Sequence, residues 1–288
     1  IAAAFKPNTK ALFGETIGNP AMSVLDIEKF ARIAHGQGVP LIVDSTFATP
    51  MLCRPIEHGA DVVIHSTSKY MDGHALQVGG MIVDAGTFDY TNGKFPGFTE
   101  PDESYHGVVY TKDYAVAPFI IKARMQLQRD FGAYPSAHSA FMLNHSLESL
   151  DVRMQRHCEN AQRVAEYLEG RKDVLVDVRY PGLDSSPYRE LAKKYLSGNS
   201  GVLCIDIKGG REAGVKFMDA LELVTRQVHV ADARSCVLHP ASTTHRQVPD
   251  EQLPSVGITP GLVRISVGLE NVDDIIADIE QALEKSQA

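Results

Sequence analysis

Lys69 closes a run of three small hydroxyl residues, Ser66, Thr67 and Ser68, in the string "VVIHSTSKYMDGH" (62–74). A lysine amine, once deprotonated, condenses with an aldehyde to a Schiff base. Hydroxyls and backbone N–H groups at a strand-to-helix turn suit a phosphate, which makes Ser66 and Ser68 candidate phosphate ligands. Upstream, Asp44 closes the apolar run "VPLIVD" (39–44), and Asn19 follows "ALFGE" (11–15). A carboxylate beside a heteroaromatic nitrogen keeps that nitrogen protonated, and a side-chain amide can hydrogen-bond a ring hydroxyl. An aldehyde with a phosphate, a ring hydroxyl and a basic ring nitrogen would engage all of these groups at once. Pyridoxal 5'-phosphate is such a molecule.

For that to happen the elements must bring distant residues together. "ALFGE" reads as a buried strand, and "TIGNPAMS" (16–23) as a loop rich in breakers. Ser23 and Asp26 mark a helix start; Ile27, Phe30, Ala31 and Ala34 fall at i, i+3, i+4 and i+7, and Gly36 and Gly38 end the helix. "VPLIVD" predicts a strand covered on both faces. "DVVIH" (61–65) is the next strand and "GGMIVD" (79–84) one more. The βαβαβ order predicts an α/β fold: a mainly parallel sheet flanked by helices. Ligands of such sheets bind outside the carboxyl ends of the strands, and right-handed crossovers return the chain to one edge. Asn19, Asp44 and Ser66 to Lys69 are therefore expected around one crevice.

Residues 85–112 hold Gly, Pro, Asp and aromatics without period, which predicts a long ordered loop. A helical zone over 139–170 links this region to a smaller α+β set. That set comprises "DVLVDVRYPG", the strand "GVLCIDI" (201–207), a helix around "REAGVKFMDAL", the strand "VRISV" (263–267) and a last amphipathic helix from Asp273. The expected organisation is a cofactor-binding large domain over 1–150 and a smaller C-terminal domain over 151–288.

Composition narrows the classes. The net charge is −8, with no basic stripe or RNA-binding motif, so nucleic acid is not an expected partner. Apolar runs are strand-sized, short of a membrane span, and no secretory leader pattern opens the chain. Cys53, Cys158, Cys204 and Cys236 lie far apart without a CxxC, as expected of reduced thiols in a cytoplasmic protein. His239 and His245 lack a third ligand at zinc-like spacing, so no metal is expected. Ser66-x-x-Lys69 also matches the S-x-x-K of penicillin-binding proteins, but their S-D-N and K-T-G strings are absent. A cofactor-free aldolase lysine would sit inside a barrel strand, whereas Lys69 lies beyond one. Taken alone, "HSTSK" is better explained by a surface lysine after a Ser/Thr turn.

Longer strings add a resemblance. "IVDSTFATP" (42–50) followed by "VVIHSTSKYMDGH", then "RMQRHCENAQRVAEYL" (153–168), "VLHPASTTHRQ" (237–247) and "VRISVGLENVDDIIADIEQAL" (263–283), resemble the pyridoxal-phosphate enzymes of cysteine and methionine metabolism, which have fold type I. The resemblance runs in order over essentially all 288 residues. "ALFGETIGNP", "GKFPGFTEPDESYHGVVY" and "HPASTTHRQ" are most similar to the O-acetylhomoserine sulfhydrylase branch, with the aromatic insertion at 88–110 as the discriminating feature.

The resemblance implies that Lys69 holds the cofactor and shuttles protons. It implies that Asp44 pairs with the pyridinium nitrogen, Asn19 contacts the ring hydroxyl, and Ser66 and Ser68 bind phosphate. Arg264 would clamp the substrate α-carboxylate, with Ser242 near that carboxylate and the lysine. The implied reaction replaces the acetate of O-acetyl-L-homoserine by sulfide or methanethiol, giving homocysteine or methionine. A γ-lyase of the same family, or a truncated relative without chemistry, are the alternatives. The implied assembly is a homotetramer built from dimers that share active sites. Two departures stand out. The N-terminal third of a usual member, with its ring-stacking tyrosine and glycine-led phosphate loop, is absent, and "IAAAF" reads as the end of a helix, so a fragment or processed chain is expected. Residues 1–288 alone are then expected to bind cofactor weakly, turn over poorly and aggregate. Ala75 stands where relatives more often show glycine.

Overall fold

The computed structural model describes residues 1–249 and 251–287. The N-terminal half builds a four-stranded sheet in the order β1 (Leu12–Glu15), β2 (Leu41–Asp44), β3 (Val62–Ser66), β4 (Gly80–Asp84). β1, β2 and β3 run parallel, in a register that sets Glu15 beside Asp44 and Asp44 beside Ile64. The helix Ile27–Gly36 makes the first crossover. Its first turn is capped by Asp26, whose carboxylate accepts a hydrogen bond from Lys29 N at 3.3 Å, and its Ile27, Ala31 and Ala34 stripe is buried. One sequence expectation needs correction, the covering of β2, and one strand direction that the sequence left open is fixed by the fold. β4 pairs antiparallel to β3, with Val62 opposite Asp84 and Ser66 opposite Gly80. An apolar run specifies a strand but not its direction. β2 is also not fully covered on both faces: Leu41 and Val43 are buried while Ile42 is only half-buried.

A second sheet has the order β5 (Leu175–Arg179), β6 (Val202–Ile207), β9 (Leu262–Ser266), β8 (Cys236–Leu238), β7 (Thr225–Arg226). It is antiparallel except for the β7–β8 pair. The helices Gly210–Ala220 and Val272–Ser286 cover it. The latter starts at Asn271, whose side chain accepts from Asp273 N, and buries Ile275, Ile279, Ala282 and Leu283. The 20-residue helix Leu150–Glu169 serves both cores. Leu150 and Met154 pack with the first, and Ala161, Val164, Ala165 and Leu168 with the second.

The aromatic insertion is ordered around its own rings. Tyr90 stacks on Phe98 at 4.5 Å and meets Phe88 edge-on at 4.8 Å, and the Tyr110 hydroxyl donates to Asp102 at 2.8 Å. Single helical turns at Pro96–Thr99 and Tyr110–Asp113 interrupt the expected loop. β4 leaves Met81, Ile82 and Val83 exposed beside a groove shared with Leu127 and the 80% exposed Phe131. All four cysteines are free. Burial pushes the thiols of Cys53 and Cys204 up to about 12, and those of Cys158 and Cys236 up to about 11. No helix among the described residues is long and apolar enough to cross a membrane.

The turn after Lys69 is fastened from behind. Arg153, buried on the long helix, donates from Nη1 to Tyr70 O at 2.6 Å and from Nη2 to Ser146 O at 2.8 Å. Gly73 makes room for it: φ is +72°, and a Cβ there would lie 2.3 Å from Arg153 Nη1. Gly73→Ala should therefore displace the guanidinium and strain the backbone, at a cost of about 2 kcal/mol or more. Denaturant midpoints of the two proteins measure it; equal midpoints would mean that Arg153 does not hold this turn.

Candidate active site

The parallel register aligns three strand ends, and their last side chains meet at one cavity of about 280 Å³. Asn19, Asp44, Ser66, Lys69 and Arg264 all line it, as expected from the sequence, together with Glu15, Thr46 and Phe47. Thr46 links two strand ends: its N–H donates to Asp44 Oδ1 at 2.8 Å, and its hydroxyl accepts from Ser66 N at 2.9 Å. Asp44 Oδ2, the Ser66 hydroxyl and the Asn19 amide nitrogen make no hydrogen bond among the described residues.

Arg264 enters from the middle of β9 and is 6% exposed. Its Nη1 donates to Asn19 Oδ1 at 3.1 Å, and its Nη2 to the carbonyls of Val228 and His229 at 3.1 and 3.3 Å. Among the described residues every acceptor is neutral. A buried guanidinium held only by neutral oxygens leaves its charge available for an anionic ligand, and its fork suits a carboxylate. Lys69 Nζ lies 3.3 Å from His229 Nδ1. Burial first, and then the nearby Arg264 charge, hold the Lys69 amine below the ordinary lysine value. Neutral amine, the form that attacks an aldehyde, is correspondingly easier to reach. Burial, aided by Asp44, raises the Glu15 carboxyl above its usual range, although Asn19 N donates to it at 2.9 Å.

Two expected residues are not brought into the cavity wall. The Ser68 hydroxyl points into its own loop, where it accepts from Gly79 N at 3.0 Å and bonds Gly79 O at 3.4 Å. The Ser242 hydroxyl is held between His239 Nδ1 at 2.8 Å and Arg211 Nη1 at 3.0 Å. The side chain that Lys69 Nζ meets is His229, at 3.3 Å from Nδ1. Sequence reasoning did not single out Glu15, Thr46 or His229. Glu15 carries the same signal as Asp44, an acidic residue ending an apolar run, whereas His229 carries no local signal at all.

The chain matches the Cys/Met metabolism PLP-dependent enzyme family over residues 1–284. It belongs to that family. An O-acetyl-L-homoserine sulfhydrylase of Leptospira meyeri is 43% identical over 285 residues, covering 96% of this chain and 64% of that protein. A homocysteine synthase of Schizosaccharomyces pombe is 45% identical over 288 residues, covering 99% and 67%. A Campylobacter jejuni protein described as an O-acetylhomoserine (thiol)-lyase, crystallised with N'-pyridoxyl-lysine-5'-monophosphate, superposes with a TM-score of 0.93 at 38% identity. The match covers 98% of this chain and 68% of that one. The chain thus spans about two thirds of the length of the curated relatives it matches.

The donor set fits the family's cofactor, pyridoxal phosphate. A half-buried amine and, without hydrogen-bond partners among the described residues, a carboxylate oxygen, a serine hydroxyl and an amide nitrogen face the same cavity. Each matches one group of the cofactor: aldehyde, ring nitrogen, phosphate and ring hydroxyl. Arg264 remains for a carboxylate. Arg264→Lys keeps the charge but loses the fork, and should weaken binding of an α-amino acid such as L-homoserine about tenfold or more. Calorimetric titration reads this directly. An affinity equal to that of the unaltered protein would place the carboxylate elsewhere.

Proposed function

We propose that the protein exchanges the acetate of O-acetyl-L-homoserine for sulfide or methanethiol, giving homocysteine or methionine. The observation that carries this reading is the meeting of Lys69, Asp44 and the uncompensated Arg264 guanidinium at one cavity. The names of relatives at 43% and 45% identity, O-acetyl-L-homoserine sulfhydrylase and homocysteine synthase, favour the acetyl group and sulfide as the sulfur donor. When bound, pyridoxal phosphate supplies the electron sink that makes the Cα and Cβ protons of the amino acid removable.

The protein's own residues then have separate tasks. Arg264 grips the α-carboxylate, and Asn19 steadies the guanidinium through Oδ1 while its amide nitrogen stays free for a ring hydroxyl. Asp44 presents Oδ2 to the ring nitrogen, its other oxygen being fixed by Thr46 N. Ser66, and Ser68 after rotation away from Gly79, take the phosphate. Lys69 anchors the cofactor aldehyde, accepts the Cα proton and then moves a proton at Cβ. The Cγ–O bond breaks to release acetate, a Cγ–S bond forms with the thiolate, and Lys69 returns one proton to Cβ and one to Cα, so that only the group on Cγ has changed. Residues 1–150 would supply most cofactor contacts and residues 151–288 the carboxylate clamp, a division supported by the two sheets, β1 to β4 before residue 150 and β5 to β9 after it. We further propose a homotetramer of dimers working in the cytoplasm. The exposed Met81, Ile82 and Val83 face supports association, and the four free thiols support a reducing compartment.

Lys69→Ala should remove turnover while shifting the denaturation midpoint little, because the residue lies in a turn beyond its strand. A normal rate in this variant would dismiss Lys69 as the reactive amine. Asp44→Asn keeps the size but not the charge, and should slow exchange of the Cα proton with solvent about a hundredfold or more. Proton NMR of the substrate in heavy water follows it, and unchanged exchange would remove Asp44 from this role. Product analysis separates the exchange reaction from γ-elimination: a sulfur-containing amino acid in the first case, an oxoacid and ammonia in the second.

A further inference from the structure

His229 lies in the segment between β7 and β8, and no sequence pattern marks it. Its Nδ1 stands 3.3 Å from Lys69 Nζ. A lysine ammonium has donors only, so Nδ1 accepts and the proton of the neutral ring sits on Nε2. Nε2 is buried and has no hydrogen-bond partner among the described residues; the nearest carboxylate oxygen, Asp232 Oδ2, is 3.9 Å away. The backbone of His229 is held as well. Its carbonyl accepts from Arg264 Nη2 at 3.3 Å and from the Cys236 thiol at 3.5 Å. The same arginine that waits for a carboxylate thus sets the ring beside the lysine.

We propose that His229 is a positioning residue for Lys69: its neutral ring accepts a hydrogen bond from the amine, holds that amine on the cavity wall, and shares one proton with it. A free lysine head on a four-carbon stem is rotationally loose, and the proposed reaction requires it to act at two neighbouring carbons in turn. A fixed acceptor restricts where the amine can go. The groups facing His229 bear out a single shared proton. Lys69 and Arg234 oppose a second positive charge, Asp232 and Asp72 favour one, and burial opposes it most, so the ring is held below the ordinary histidine value. Proton transfer within the pair is balanced, an ammonium and a neutral imidazole becoming a neutral amine and an imidazolium.

The bearing on turnover rests on the reading of Lys69 as the reactive amine, but the pairing itself does not. Competitive acetylation of the cofactor-free protein over neutral to alkaline pH, read by mass spectrometry at the Lys69 peptide, titrates the amine. In His229→Ala the ammonium loses its acceptor, and the midpoint should fall by about one pH unit. His229→Asn, which retains an acceptor near the Nδ1 position, should restore most of that shift. Reciprocally, nitrogen NMR should show His229 with Nδ1 as the bare acceptor, and its titration should move up in Lys69→Met. In the loaded enzyme, His229→Ala should lower kcat about tenfold with KM within about twofold, and His229→Asn should recover most of the loss. An unmoved Lys69 midpoint in His229→Ala, or a proton on Nδ1 at neutral pH, would overturn the pairing. A shifted midpoint without any turnover in the unaltered enzyme would instead overturn the proposed function and leave the pairing standing.

Discussion

A guanidinium buried without a carboxylate among the described residues is the constraint around which the cavity is organised. Arg264 projects from the centre of the second sheet, and its hydrogen bonds go to a side chain after β1 and to two carbonyls before β8. A charge so placed is expensive to desolvate, and three neutral oxygens offset only part of that. The arrangement persists because strands on both sides of β9 pin the residue, with Cys204 and Leu238 as its register partners. One side chain therefore joins the two sheets, holds the backbone of the His229 segment and presents to the cavity a positive charge whose fork suits a carboxylate. Lys69 responds to the same charge, since Arg264 adds to burial in keeping its amine less basic.

The parts of the site legible in the sequence are those governed by local rules. Asp44 and Lys69 stand where apolar β-branched runs stop, and strand ends in parallel register collect such residues without further instruction. Asn19 follows the same logic one strand earlier. Arg264 was reachable only through resemblance, because a basic residue inside a strand has no local signature for its partner. Ser242 shows the limit of that route. A serine in "HPAST" can face either way, and here tertiary contacts with Arg211 and His239 take its hydroxyl. Ser68 is likewise drawn off by Gly79, a partner eleven residues away. His229 depends on the placement of a loop relative to a different sheet, which no periodicity encodes.

The fold was legible to a similar depth. Period and breakers located β1 to β4 and the helix Ile27–Gly36 nearly to the residue. The direction of β4 was not encoded, since side-chain alternation is the same for a strand run either way. The aromatic insertion was recognised as ordered, but the geometry of its rings follows from edge and stacking contacts set only on collapse.

The condition of the cysteines bears on life among sulfur nucleophiles. An enzyme that handles sulfide also meets disulfides and polysulfides, and a protein thiolate exchanges with them in proportion to how much of it exists. With burial holding all four thiols at about 11 to 12, almost none is ionised near neutral pH. Three are also buried from collision. The scaffold thiols are therefore chemically quiet: under the proposed function, formation of persulfides or mixed disulfides on the protein would be suppressed by burial rather than by the absence of cysteine.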